Sequence, residues 1–143
     1  MLIGVTFLLY HFVFLPIRIV GISMAPNYTD GRLNVVYRLA YRHRLPARGD
    51  VVAMRFPIGR YALAKRVIGL PGETVEIDNG IVRINGQPLD EPYVRLKRVP
   101  WNVDPVQLTA DQIFVIGDNR SMDQRDHTFG RMQRDRILGK VMF

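Results

Sequence analysis

Apolar residues along this chain come in short runs broken by glycine and proline, and within several runs they alternate with polar ones at a period of two. Leu33, Val35 and Tyr37 alternate with Asn34, Val36 and Arg38, which predicts a strand. A second strand is predicted from Asp50 to Phe56, opened by Arg48-Gly49. The longest runs from Arg60 to Leu70 and is closed by Pro71-Gly72, a turn pair. Thr74–Ile77 and Ile81–Ile84 flank Asp78-Asn79-Gly80 and read as a hairpin, with Asn85-Gly86 making the next turn. Ile113–Ile116 and Ile137–Phe143 supply the last two strands. Residues 87–109, with several prolines and Trp101, read as a short insertion or loop outside the core. There are no repeats and no long amphipathic helix, so the fold class is mostly β.

Residues 1–20 are almost wholly apolar, interrupted by His11, Pro16 and Arg18. A membrane-spanning helix takes about 20 such residues. The favoured division is therefore an N-terminal membrane-anchoring helix over 1–20 and a domain over 21–143. Two alternatives stand beside it. A cleavable signal peptide fits the apolarity but lacks a basic start and an Ala-x-Ala site. An apolar hairpin or strand belonging to the core fits as well. With no Lys or Arg before the span, charge asymmetry gives no orientation.

Composition narrows the classes. At 143 residues, 48% hydrophobic, the chain can build one core plus an anchor. It has no cysteine, which excludes disulfides, thiolate metal sites and a cysteine nucleophile. No cluster of His and carboxylates has metal-ligand spacing, so neither a metal nor another cofactor is expected. Net charge is +7, and Arg38, Arg42, His43, Arg44 and Arg48 crowd one segment. With an apolar N-terminus and no aromatic-rich nucleic-acid motif, lipid headgroups or plain solvation account for this better than nucleic acid.

Two residues carry candidate chemistry. Lys65 lies mid-strand and shares a face with Tyr61, Leu63 and Val67. Burial there would lower its pKa, and a shift of roughly two or three units leaves usable free amine near neutrality. The bland alternative is a lysine at a strand edge, snorkelling into water. Ser23 follows the apolar run, with Gly21 leaving room for a substrate and Pro26 holding Ala25 extended. Alone it reads as a turn or capping serine. Paired with an uncharged lysine, its hydroxyl becomes a nucleophile, so the two together point to hydrolysis by a Ser-Lys dyad near a membrane. Gly117-Asp118-Asn119-Arg120 is a sharp turn after a strand. His127, beside Arg125 and Asp126, reads as a surface group.

Ser23-Met24-x-Pro26, Gly49-Asp50-Val51-Val52, Lys65-Arg66-Val67-Ile68-Gly69-Leu70-Pro71-Gly72 and Gly117-Asp118-Asn119-Arg120 occur in the order and rough spacing of type I signal peptidases. The chain resembles the bacterial-type, serine-lysine group of that family over residues 21–143. The resemblance implies an antiparallel, coiled-sheet or barrel-like catalytic core on a membrane anchor. It implies an endopeptidase on the outer, periplasmic face of the bacterial cytoplasmic membrane, working as a monomer on preprotein signal peptides and cutting after small residues. Ser23 is then the nucleophile and Lys65 the general base. Gly21, Ile22, Met24 and Pro26, with Tyr61, Ala62, Leu63 and Ala64, would meet the substrate or the oxyanion. Arg66, Asp118, Asn119 and Ser121 would support them, with membrane lipids as the other partner.

The chain departs from the family pattern in places. Gly21 stands where many members have a hydroxyl donor to the oxyanion, and Asn27 where they have threonine. Asp123 stands where a serine usually lies near the lysine. A carboxylate there would raise the lysine pKa. So Asp123 points elsewhere, or Ser121 takes the orienting role, or activity is weak. The usual acid-arginine pair of that stretch is also rearranged. Two other functions remain in play: a specialised processing peptidase of the same fold, and a non-catalytic membrane-tethered β module.

Overall fold

A computed structural model of the protein describes residue 10 and residues 12–55, 62–97 and 100–142. In chain order the strands are β1 (Phe14–Arg18), β2 (Leu33–Tyr37), β3 (Val51–Arg55), β4 (Ala62–Gly69), β5 (Thr74–Asp78), β6 (Ile81–Ile84) and β7 (Gln87–Pro88). There follow β8 (Leu96–Lys97), β9 (Val103–Gln107), β10 (Gln112–Ile116), β11 (Asn119–Arg120), β12 (Gly130–Gln133) and β13 (Ile137–Val141). Seven of them form one sheet in the order β1-β2-β13-β3-β4-β10-β12, every pairing antiparallel. The mostly β expectation holds. Among the described residues helical backbone is confined to residues 10, 12 and 13 and to two 3-10 turns, Gln124–Asp126 and Arg134–Arg136. No described helix is long and apolar enough to cross a membrane.

The N-terminal run divides differently from the helix drawn over 1–20. Residues 1–9 and 11 lie outside the described residues, but Phe14–Arg18 is the edge strand β1, paired with β2 from Phe14↔Tyr37 to Arg18↔Leu33. Leu15 and Ile17 pack on the cluster of Met24, Val36, Val51, Ala53 and Val141, while Pro16 and Arg18 face solvent. That is a period of two. Pro16 is tolerated because an edge strand has one side without ladder partners. The alternative of a core strand is the one that describes these five residues.

A second sheet, β7-β6-β5-β9, is inserted between β4 and β10, which are neighbours in the main sheet. The two layers close on Ile68, Phe114 and Ile116 from one side and Val75, Ile77 and Val82 from the other, with Trp101 and Leu108 between. Gly69 sits at the crossing, where a Cβ would overlap the Val75 and Leu108 side chains. Residues 87–109 are therefore not a loop outside the core. Val103–Gln107 pairs with β5, and Trp101 is 2% exposed. Pro105 interrupts the sequence pattern, but β9 is an edge strand, where a proline costs no ladder bond.

Candidate active site

β3 flanks β4 (Ala62–Gly69) over Ala62–Arg66, from Arg55↔Ala62 to Val51↔Arg66. On its other side β10 reaches only to Ile116↔Arg66. Ala62–Lys65 therefore has no strand partner on that side among the described residues. Such an open edge accepts an extended peptide as an added strand. Tyr61, expected to share this role, lies outside the described residues. Lys65 shares a face with Leu63 and Val67 and stands opposite Val52, both valines being fully buried.

Lys65 itself is 2% exposed. Among the described residues no carboxylate comes within ion-pair distance of it. Loss of hydration lowers its pKa from 10.5 to about 8, against the opposing pull of Asp118. The snorkelling alternative does not describe this side chain.

Ser23 is half-buried in the turn after β1. The turn begins at Gly21, whose φ of 92° favours glycine and whose N–H donates to Asp30 Oδ1 at 2.8 Å. Met24, expected among the substrate-contacting residues, turns its side chain into the core at 1% exposure and anchors the turn from below. Ile22 and Pro26 are exposed.

The Gly117–Arg120 segment stitches this turn to β4. Asn119 N–H donates to the Ser23 carbonyl and its Nδ2 to the Ile22 carbonyl, both at 3.0 Å. Ser121 N–H and Oγ donate to Asn119 Oδ1, which fixes the amide and occupies the Ser121 hydroxyl. Asn27 Nδ2 donates to Asp118 Oδ2 at 2.8 Å. The fully buried Asp118 also receives Arg66 Nε and Nη2, a bidentate pair. The Arg66 guanidinium lies 4.1 Å from the centre of the Tyr93 ring. Asn27 thus forms part of the Asp118 network.

The sequence predicts a surface position for His127, and the structure corrects this. It is 4% exposed, its Nε2 accepts from Gly117 N–H at 3.1 Å, and its ring meets Trp101 edge-on at 4.8 Å. Burial first, then the charges of Lys65 and Arg120, push its pKa from 6.5 down to about 3. With Nε2 accepting, the proton belongs on Nδ1, which is buried without a partner among the described residues. A Cβ at Gly117 would overlap both the Ser23 carbonyl oxygen and the His127 ring, so only glycine lets these two approach. Arg120 Nε donates to Gly117 O at 2.8 Å, and the same guanidinium pairs with Glu91 at 2.6 Å. Asp123 points away. It is exposed, caps the Gln124–Asp126 turn and pairs with Arg125. The hint of burial that the sequence carries is the aromatic residue two positions on, in His127-Thr128-Phe129.

Fold and site together define a two-layer β protein with a serine-bearing turn tied to the Gly117–Arg120 segment and, on a strand with one open edge, a buried lysine in no ion pair among the described residues. The family model described as signal peptidase, peptidase S26, matches residues 1–143, and the chain belongs to that family. It is similar to a probable signal peptidase I-1 of Synechocystis sp., 37% identical over 95% of this chain and 73% of the relative. It is also similar to a signal peptidase I of Leptolyngbya laminosa, 35% identical over 84% of this chain and 63% of the relative. A crystal structure of a signal peptidase I from Enterococcus faecalis V583 matches with a TM-score of 0.57 at 28% identity, covering 69% of this chain and 98% of that one. Membership supports a hydrolase of the signal-peptide-processing kind, and membrane association and secretion fit the same family.

Proposed function

We propose that the protein is a membrane-tethered serine endopeptidase that removes signal peptides through a Ser23–Lys65 dyad. Neutral Lys65 takes the Ser23 proton, and the serine oxygen attacks the scissile carbonyl. The resulting ammonium protonates the leaving amine, and Lys65 then activates the water that hydrolyses the acyl-enzyme. The Ser23 N–H, which makes no backbone hydrogen bond among the described residues, is free to donate to the oxyanion. The substrate runs as an added strand along Ala62–Ala64, and small residues before the cleaved bond, in an Ala-x-Ala-like pattern, suit so close a backbone approach. The tether is the apolar stretch ahead of β1, and the catalytic domain works on the outer face of the cytoplasmic membrane as a monomer.

The observation that carries this reading is Lys65: a lysine 2% exposed, with no paired carboxylate among the described residues and a pKa lowered to about 8. A cation without solvent or counterion is expensive to keep in a core, whereas a free amine there is a base. The test is cleavage of a purified preprotein by the Ser23→Ala and Lys65→Met variants. Both are expected to be inactive, and full cleavage by either one removes the dyad.

A further inference from the structure

The arginine-rich stretch after β2 plays no part in the chemistry above. Arg48 leaves it, forming a bidentate pair with Glu73. The others turn to one place. Arg38, Arg42 and Arg44 line a cavity of about 390 Å³ together with Arg134, which arrives from the turn between β12 and β13. Among the described residues none of the first three is in an ion pair. The nearby carboxylates are already engaged: Asp50 holds Lys140 and Tyr41, and Asp111 holds one Arg134 nitrogen at 2.9 Å. Arg134 Nε is buried without a partner among the described residues. Four guanidinium groups around one cavity repel one another, and an anion with several oxygens relieves that repulsion.

The surroundings select the anion. Arg38 N–H donates to the Val13 carbonyl at 2.9 Å, so the cavity adjoins the point where the apolar N-terminal run enters the sheet. Tyr10, Phe14 and Tyr37 stack there at 5.0 and 5.4 Å, and Tyr10, Phe12, Leu39 and Leu45 are exposed. Aromatic rings and leucines beside arginines are the mixture found at a bilayer interface. We propose that this cavity binds the phosphate headgroup of an anionic phospholipid, held by Arg38, Arg42, Arg44 and Arg134, with Leu39 and Leu45 against its acyl region. The site rests on the membrane tether proposed above and fixes the height at which the domain sits on the bilayer.

The test uses the full chain in detergent micelles and native mass spectrometry with phosphatidylglycerol or phosphatidylcholine. The wild type is expected to retain phosphatidylglycerol and not phosphatidylcholine. Arg38→Gln with Arg42→Gln is expected to weaken that retention roughly tenfold or more. The exposed pair Arg95→Gln with Arg131→Gln, which removes the same charge elsewhere, is expected to leave it unchanged. Equal retention of the two lipids, or equal weakening by the two double variants, overturns the site. Displacement of the lipid by millimolar inorganic phosphate overturns the choice of a lipid ligand. Cleavage of a preprotein is followed in parallel in the same micelles. Loss of cleavage with lipid retention intact counts against the dyad alone, and the reverse outcome counts against this site alone.

Discussion

Lys65 and Arg66 are neighbours on one strand, and the two faces of β4 treat their charges in opposite ways. Arg66 is matched at every opportunity, with both Asp118 oxygens, the Gly49 carbonyl and the Tyr93 ring around its guanidinium. Lys65, more deeply buried, shares a face with Val67 opposite Val52 and, among the described residues, pairs with no carboxylate. A buried charge that is fully paired holds a structure together only as long as both partners stay. A buried amine that is unpaired costs stability while charged and is useful when it is not. The first face builds the site, and the second carries the amine to which the proposed chemistry is assigned.

The sharpest way to break this comparison is to remove each partner and measure activity and stability together. Ser23→Ala and Lys65→Met are expected to lower kcat/KM by roughly 10³-fold or more, as removal of a nucleophile or its base does. Lys65→Met is also expected to raise stability near neutral pH. The folded-state pKa of about 8 against 10.5 corresponds to about 3 kcal/mol of penalty. Asp118→Asn runs the other way. It strands Arg66 and is expected to cost about 3–5 kcal/mol in urea unfolding, with activity falling because the turn around Ser23 loosens. If Lys65→Met destabilises as much as Asp118→Asn does, the two faces are not different in kind.

How far this was visible in the sequence follows the same division. The strands carrying Lys65 and Val52 show themselves by apolar runs and glycine turns, and the serine and lysine by their odd positions. What stayed hidden depended on long-range pairing. Phe14–Arg18 has the alternation of a strand, but inside an apolar run that also has the length of a span. Val103–Gln107 is broken by a proline that only an edge position tolerates. Residues 118 and 66 are 52 apart, and only the fold makes them partners. His127 shows the limit most clearly. Its burial against Trp101 is set by the second sheet, which could not be anticipated while residues 87–109 read as a loop. The coarse alternation was local and legible, and the matching of charges was not.

Titration sharpens the comparison without mutation. Below about pH 8 Lys65 is protonated in the folded enzyme, so kcat/KM is expected to rise about tenfold per pH unit and level off above that value. The stability effect has its own sign. Between pH 8 and 10.5 the unfolded chain holds the lysine proton that the folded chain has released, so this group's contribution to stability rises with pH across that window. His127 acts at the acid end. Its folded pKa of about 3 lies below the ordinary 6.5, so the unfolded chain takes the proton first. Stability is therefore lost as pH falls from 6.5 towards 3. Urea midpoints of the wild type are expected to fall over that range more steeply than those of His127→Gln. An equal slope would mean that the imidazole is not held neutral beside Lys65.

The smallest effect is expected at Asp123. A carboxylate near Lys65 would hold the proton on the amine and suppress hydrolysis, but this one is exposed and engaged with Arg125. Its charge is screened by water, and its pairing joins two groups on the surface. Asp123→Ser is therefore expected to leave the midpoint of the pH–rate profile in place and kcat/KM within about twofold. A midpoint that moves to lower pH in this variant would mean that the carboxylate swings in and charges the lysine, and the unpaired face of β4 would then be paired after all.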